Sequence, residues 1–322
     1  MSAICRARLT GVGGYLPRQV ITNAELAQKV DTSDEWIKTR TGIEQRHIAS
    51  EDETTASMAA LAAQRALEQA GVSSKEIDAV IVATSTPDKV FPAVAVQVQA
   101  LLGMEKGFGF DVSAACSGFI FALATANSLI QSGSAKKILV IGSEVFSRLL
   151  DWNDRTTCVL FGDGAGAVLL ESGAEDGQGV LSTHLHSDGR TGDLLYVDGG
   201  VGCAGTTQQL KMVGREVFRH AVVKLSQAVD EALESNHLTG EDVKWLVPHQ
   251  ANLRIIEGMA KKLSLPSDRV VVTVDRHANT SAASIPLALN EAVQDGRVQK
   301  NDLVLMEALG GGLTWGSALI RM

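Results

Sequence analysis

The chain has 322 residues, 45% of them hydrophobic, and a formal net charge of −8 from 29 Lys and Arg against 37 Asp and Glu. With no long run of either sign, that balance argues against a general nucleic-acid binder and for a compact globule of one large domain or two ordinary ones. No stretch approaches the roughly 20 apolar residues of a membrane span. The opening MSAICRARLTGVGGYLP lacks the apolar core of a secretory leader. The four cysteines (Cys5, Cys116, Cys158, Cys203) form no CxxC pair, so neither a metal site nor a disulfide framework is expected, and the sequence reads as reduced and cytoplasmic.

In chain order, Thr32-Ser-Asp-Glu35 has a capping-box pattern before a short helix carrying Trp36. A helix is predicted over 55–70 and a strand over 78–84. DVSAACSGF (111–119) hands a strand over to a helix at 116–132, and a strand follows at 136–144. GDGAGA (162–167) looks superficially like a dinucleotide loop, but it leads into the strand 166–172 instead of a helix, so that reading fails its context. His184 and His186 alternate along a strand. Helices are predicted at 216–235, 252–263 and 281–294, and strands at 244–249, 269–274, 302–308 and 317–322. Near-continuous apolar strands alternating with helices indicate an α/β fold whose sheet is covered on both faces.

The order repeats. Residues 65–84 lie over 231–250 at an offset of 166, the stretch ending at Gly133 over the one ending at Gly296 at 163, and 138–144 over 303–309 at 165. Two copies of one α/β unit, residues 1–175 and 176–322, would pack about a pseudo-twofold axis. At the 163 offset Cys116 falls opposite Asn279, each opening the helix of its own half. A helix N-terminus lowers a thiol pKa and supports an oxyanion, which favours a nucleophile at Cys116 over a small buried filler. His47, His220 and His237 lie in contexts that suggest exposure, and His277 lies in a turn. His249 ends a buried strand, where α/β sheets place ligands, and is the base candidate. Gly310, Gly311 and Gly312 follow a strand and suit either a tight turn or a close backbone approach to an oxyanion.

TSDEWIKTRTGIEQRHIA (32–49), DVSAACSGF, FGDGAGAVLL (161–170), VPHQANLRII (247–256), ANTSAASIP (278–286) and GGGLTWGSALI (310–320) together resemble the β-ketoacyl-acyl-carrier-protein synthase III family. The resemblance implies a thiolase-like fold of two pseudo-twofold-related halves in α-β-α-β-α layers. It also implies decarboxylative condensation of an acyl-coenzyme A primer with malonyl-acyl carrier protein. By motif, Cys116 resembles the acylated nucleophile, His249 and Asn279 the pair serving decarboxylation, and Gly311 the second oxyanion donor beside the Cys116 amide. Trp36 and Arg155 resemble the adenine sandwich of coenzyme A, with Arg40 and Asn252 as further pocket residues. Phe91 resembles the residue that limits acyl length from across a homodimer interface. Arg215 and Arg219, with Arg254, Lys261 and Lys262, would offer basic faces to the carrier protein. No cofactor is implied, acyl-coenzyme A being a substrate, and no nucleic acid or membrane partner. Ala278 stands where the family usually has glycine. A related Cys-His-Asn enzyme priming a secondary-metabolite pathway is the alternative; a cysteine acyl-thioester hydrolase is the alternative from another class.

Overall fold

Small residues set the packing from the start of the chain. β1 (Ala7–Tyr15) is followed by β2 (Gln19–Thr22), α1 (Asn23–Leu26), α2 (Asp34–Thr41), β3 (Gln45–Ile48) and the alanine-rich α3 (Thr55–Ala70). Gly13 of β1 lets α3 rest directly on the strand, since a Cβ there would stand 2.2 Å from the Ala62 carbonyl oxygen. Thr54 caps α3 at its start and Gly71, at φ 66°, closes it. Next come β4 (Ala79–Ala83), α4 (Val94–Leu101), β5 (Phe108–Val112), α5 (Gly118–Gln131), β6 (Lys137–Glu144) and β7 (Gly164–Ser172). The rest comprises β8 (Gly179–Ser187), β9 (Leu195–Val197), β10 (Leu210–Met212), α6 (Gly214–Ser235), β11 (Trp245–Pro248), α7 (Leu253–Lys262), α8 (Val274–His277), α9 (Ser284–Gln294), β12 (Leu303–Gly310) and β13 (Thr314–Arg321).

This computed structural model describes residues 6–174, 177–203 and 208–322. Cys5 and the expected boundary between 175 and 176 lie outside the described residues. No helix among them is long and apolar enough to cross a membrane.

The strands form a five-stranded sheet, β1-β7-β6-β4-β5, a four-stranded sheet, β8-β13-β12-β11, and the two-stranded ribbons β2-β3 and β9-β10. The second repeats the order of the first, short of its last strand. There the predicted strand 269–274 contributes only an isolated parallel bridge, Val270 to Leu246. α3 and α4 cover the outer face of the first sheet, α6 the outer face of the second with α7 against it, and α5 and α9 lie between the sheets. Side-chain alternation explains the continuous apolar strands. In β4, Ala79, Ile81 and Ala83 join the central core and Val80 and Val82 an outer one. In β12, Val304 and Met306 face the centre while Leu303 and Leu305 face outward.

The duplication is more regular than the sequence comparison indicates. The starts of β4 and β11, of the 3-10 turns Ala115–Ser117 and Ser281–Ala283, of α5 and α9, and of β6 and β12 are each 166 residues apart. Ala115 and Ser281 share positive φ values of 46° and 50°. The 163 offset is therefore corrected: the structural counterpart of Cys116 is Ala282, and Asn279 lies upstream of its turn.

Each turn rests on the strand of the opposite half. A Cβ on Gly310 of β12 would stand 2.5 Å from the Cys116 nitrogen, and one on Gly142 of β6 would stand 2.1 Å from the Ala282 carbonyl oxygen. Gly142→Ala must separate β6 from the Ser281–Ala283 turn. We expect it to lower unfolding free energy by about 3 kcal/mol, as overpacking of a rigid core does. Denaturant titration checks this, and an unchanged midpoint contradicts the close approach.

Candidate active site

Cys116 sits within the 3-10 turn, two residues before the first residue of α5, and is 5% exposed. The expected lowering of its pKa is not found. Burial pushes the thiol up to about 12; the Ser281 hydroxyl opposes that rise and the Glu144 carboxylate adds to it. The resting group is a thiol, and it must surrender a proton to act as a nucleophile.

His249 follows β11, its N–H donating to the Glu307 carbonyl oxygen at 2.8 Å. Its Nδ1 lies 2.6 Å from Ser284 Oγ, and burial drives its pKa down to about 4, so the imidazole is neutral. Asn279 is anchored on both sides: its N–H donates to the Leu160 carbonyl oxygen at 2.9 Å and its own carbonyl accepts from the Gly162 N–H at 3.0 Å. Its side-chain Oδ1 accepts the Ser281 N–H at 2.8 Å, which leaves the Nδ2 amide as a donor. Ala278, just upstream, adopts φ 58° and ψ −160°, a region that strongly favours glycine. The Asn279 backbone is held by the Leu160–Gly162 segment, so the conformation is imposed on Ala278 at a cost of about 1–3 kcal/mol.

Two cavities meet at Cys116. One is lined by Cys116, His249 and Asn279 together with Asn252, Val217 and Phe218 of α6, and Ile255 of α7. The other, about 280 Å³ and mostly apolar, lies among Cys116, Phe146, Phe161, Leu195, Leu210, Gly311 and Gly312. The glycine run is also the tight turn between β12 and β13.

The outer residues divide. Ser33, not Thr32, caps α2, its Oγ accepting the Trp36 N–H at 3.1 Å. The Arg40 guanidinium lies 4.5 Å and that of Arg155 5.6 Å from the Trp36 ring centroid. An aromatic ring inserted between Trp36 and Arg155 would require the arginine, also bonded to Asp31, to swing outward. Asn252 lines the first cavity with its amide engaged: Oδ1 caps α7 and Nδ2 donates to the Arg40 carbonyl oxygen at 3.0 Å. Within this chain Phe91 is not brought to Cys116; it stands 82% exposed on the β4–α4 connection. Arg219 pairs with Glu216 and Lys262 with Asp230, while Arg215, Arg254 and Lys261 form no ion pair among the described residues. His47 and His220 are half-buried, not exposed, and His277 ends α8 buried. Cys158 is a buried free thiol and Cys203 an exposed one. Among the described residues, no group of three or more His, Cys, Asp or Glu side chains is placed to hold a metal.

A buried thiol, a neutral imidazole and an amide donor at the facing ends of two duplicated sheets describe a class of acyl-handling enzyme. The 3-oxoacyl-[acyl-carrier-protein] synthase III family description matches residues 110–189, and its C-terminal counterpart matches residues 233–322. The β-ketoacyl-[acyl-carrier-protein] synthase III of Granulibacter bethesdensis is 65% identical over 98% of this chain and 99% of its own length. That of Acidiphilium cryptum is 64% identical over 98% and 99%. The crystal structure of 3-oxoacyl-[acyl-carrier-protein] synthase III from Aquifex aeolicus superposes with a TM-score of 0.94 at 49% identity, covering 98% of this chain and 100% of that one. The chain belongs to the β-ketoacyl-[acyl-carrier-protein] synthase III family of condensing acyltransferases, and its fold is thiolase-like.

Sequence reasoning passed over three residues here: Glu144, Ser281 and Glu307. Glu307 is buried with no hydrogen-bond partner at Oε2, and burial pushes its pKa up to about 8 from a usual 4.5. Below pH 4.5 this group is neutral in folded and unfolded chains alike. Between pH 4.5 and 8 only the unfolded chain releases the proton, so stability falls as pH rises, by about 1.4 kcal/mol per unit. Glu307→Gln keeps the volume and removes the ionisation. Its stability relative to the parent should improve steadily as pH rises from 5 to 8 and level off above that in urea titrations. A difference that does not change with pH contradicts the buried neutral carboxyl.

Proposed function

We propose that this chain condenses an acyl-coenzyme A primer, acetyl-coenzyme A first, with malonyl carried on acyl carrier protein, releasing carbon dioxide and a 3-oxoacyl product that begins fatty-acid synthesis. The observation that carries this reading is the meeting of two cavities at one buried thiol. One is edged by two neutral hydrogen-bond donors, and the other is an apolar space suited to an acyl chain.

Cys116 attacks the primer thioester, and the tetrahedral oxyanion rests on the Cys116 and Gly311 amides. Malonyl thioester then occupies the first cavity, its carbonyl oxygen accepting from His249 Nε2–H and Asn279 Nδ2. Ser284, donating to Nδ1, supports that histidine tautomer. The enolate left by carbon dioxide attacks the acyl-cysteine. Neutral donors suit this step, because they stabilise the enolate without handing it a proton.

The Trp36, Arg40 and Arg155 cluster supports an adenine site at the approach to the first cavity. Arg215, Arg254 and Lys261, the cations on α6 and α7 without acidic partners among the described residues, support carrier-protein docking at the same mouth. The exposed Val90 and Phe91 support a second copy covering the β4–α4 connection. The direct experiment supplies a panel of acyl-coenzyme A donors with malonyl carrier protein and identifies products by mass. Free acid in place of a 3-oxoacyl product would favour a hydrolase.

Asn279→Ala separates the half-reactions. Removing one preorganised donor should slow condensation and carbon dioxide release by roughly 10²–10³ while Cys116 still takes up acetyl. Loss of acetyl uptake with normal carbon dioxide release contradicts this division of roles.

A further inference from the structure

Glu144 ends β6 fully buried at the centre of the molecule. Every described donor to its carboxylate is neutral: the Ser85 N–H at 3.1 and 3.2 Å, Thr84 Oγ1 at 3.3 Å, Thr86 Oγ1 at 2.6 Å and Ser281 Oγ at 3.1 Å. The turn that carries Ser281 packs on the turn that carries Cys116, and the Ser281 hydroxyl lowers the Cys116 thiol pKa. Ser281 therefore stands between the sulfur and a carboxylate, in the turn that Gly142 allows against β6. The decarboxylation chemistry uses neither side chain.

We propose that Ser281 and Glu144 form a proton relay for Cys116, which rests on the reading of Cys116 as the acylated nucleophile. The thiol proton passes to Ser281 Oγ as the Ser281 hydroxyl proton passes to Glu144 Oε1, leaving a thiolate and a neutral carboxylic acid. The thiolate attacks the primer thioester, and coenzyme A leaves as a thiolate that takes its proton from water. Glu144 keeps its proton while Cys116 is a thioester. Condensation then releases the Cys116 thiolate, and the relay runs backward to restore thiol and carboxylate. One proton enters from water per turnover, as the loss of carbon dioxide from a carboxylate requires.

The electrostatics agree with the geometry. Burial raises Glu144 to about 7, so it can hold a proton at neutral pH, whereas His249, lowered to about 4, cannot. The Glu144 charge holds the thiol pKa up, and that repulsion disappears once Glu144 carries the proton.

Ser281→Ala removes the middle of the relay while its backbone N–H still holds Asn279 Oδ1; Glu144→Gln removes the acceptor. Two readouts are needed on the full chain: single-turnover acetyl uptake from acetyl-coenzyme A, and the pH profile of iodoacetamide alkylation at Cys116. Both variants should slow uptake by roughly 10² or more. Ser281→Ala should move the alkylation midpoint to higher pH, because its hydroxyl lowers the thiol pKa, and Glu144→Gln should move it to lower pH, because the neighbouring negative charge is gone. The double variant should be no slower than either single one, because a broken relay cannot be broken twice. If Glu144→Gln does not fold, Ser281→Ala decides alone. Parent-like uptake with an unshifted profile in Ser281→Ala overturns the relay and leaves the condensing function standing. A parent protein that takes up no acetyl at Cys116 overturns the nucleophile assignment itself.

Discussion

The site depends on the absence of two side chains. Gly310 lets β12 touch the turn that carries Cys116, and Gly142 lets β6 touch the turn that carries Ser281. Each contact crosses from one half of the duplicated fold to the other, so the two turns are fixed relative to each other by the whole pair of sheets. α5 and α9 continue from those turns through the central core, so any shift of a helix is felt at the thiol. Chemistry that must be held to a fraction of an ångström is thereby mounted on the most rigid part of the molecule.

Burial at this centre has an electrostatic consequence. Cys116, Glu144 and Glu307 are pushed up and His249 is pushed down, so each group leans toward its neutral form. A carbanion intermediate is suited to such surroundings, because the two donors that line its cavity, His249 and Asn279, are neutral. The same burial makes the thiol hard to ionise, which a relay to a nearby acceptor resolves. Glu307 has no such partner and contributes a stability that declines as pH rises.

Much of this was legible in the sequence. The alternation of apolar strands with alanine-rich helices located α3, β4, β6, β11 and α9, and the internal repeat foreshadowed two sheets of matching order. The strand 269–274 failed because it meets β11 only at Leu246, through a single bridge to Val270 and the Val271 N–H, and an apolar β-branched run does not reveal whether a neighbouring strand exists. Cys116, His249 and Asn279 stood out through their places at strand ends, and the structure brings them to one cavity. The thiol's raised pKa was not legible, since depth of burial is a property of the assembled halves. Glu144 and Glu307 had a visible signal that went unused: Glu307 is the single charge inside the apolar strand LVLMEALG, and Glu144 closes the apolar run ILVIGS of KILVIGSE. Ser281 had none, because its role follows from a turn whose position only the packing of β6 defines.

The central claim is that the buried Cys116, which must lose a proton to react, is the acyl acceptor. The most direct measurement is peptide mass analysis of the protein after brief incubation with acetyl-coenzyme A alone. The account predicts the added mass of one acetyl group on the peptide containing Cys116, and none on those containing Cys158 or Cys203. Acetyl on another residue, with Cys116→Ala still producing 3-oxoacyl carrier protein, would contradict it.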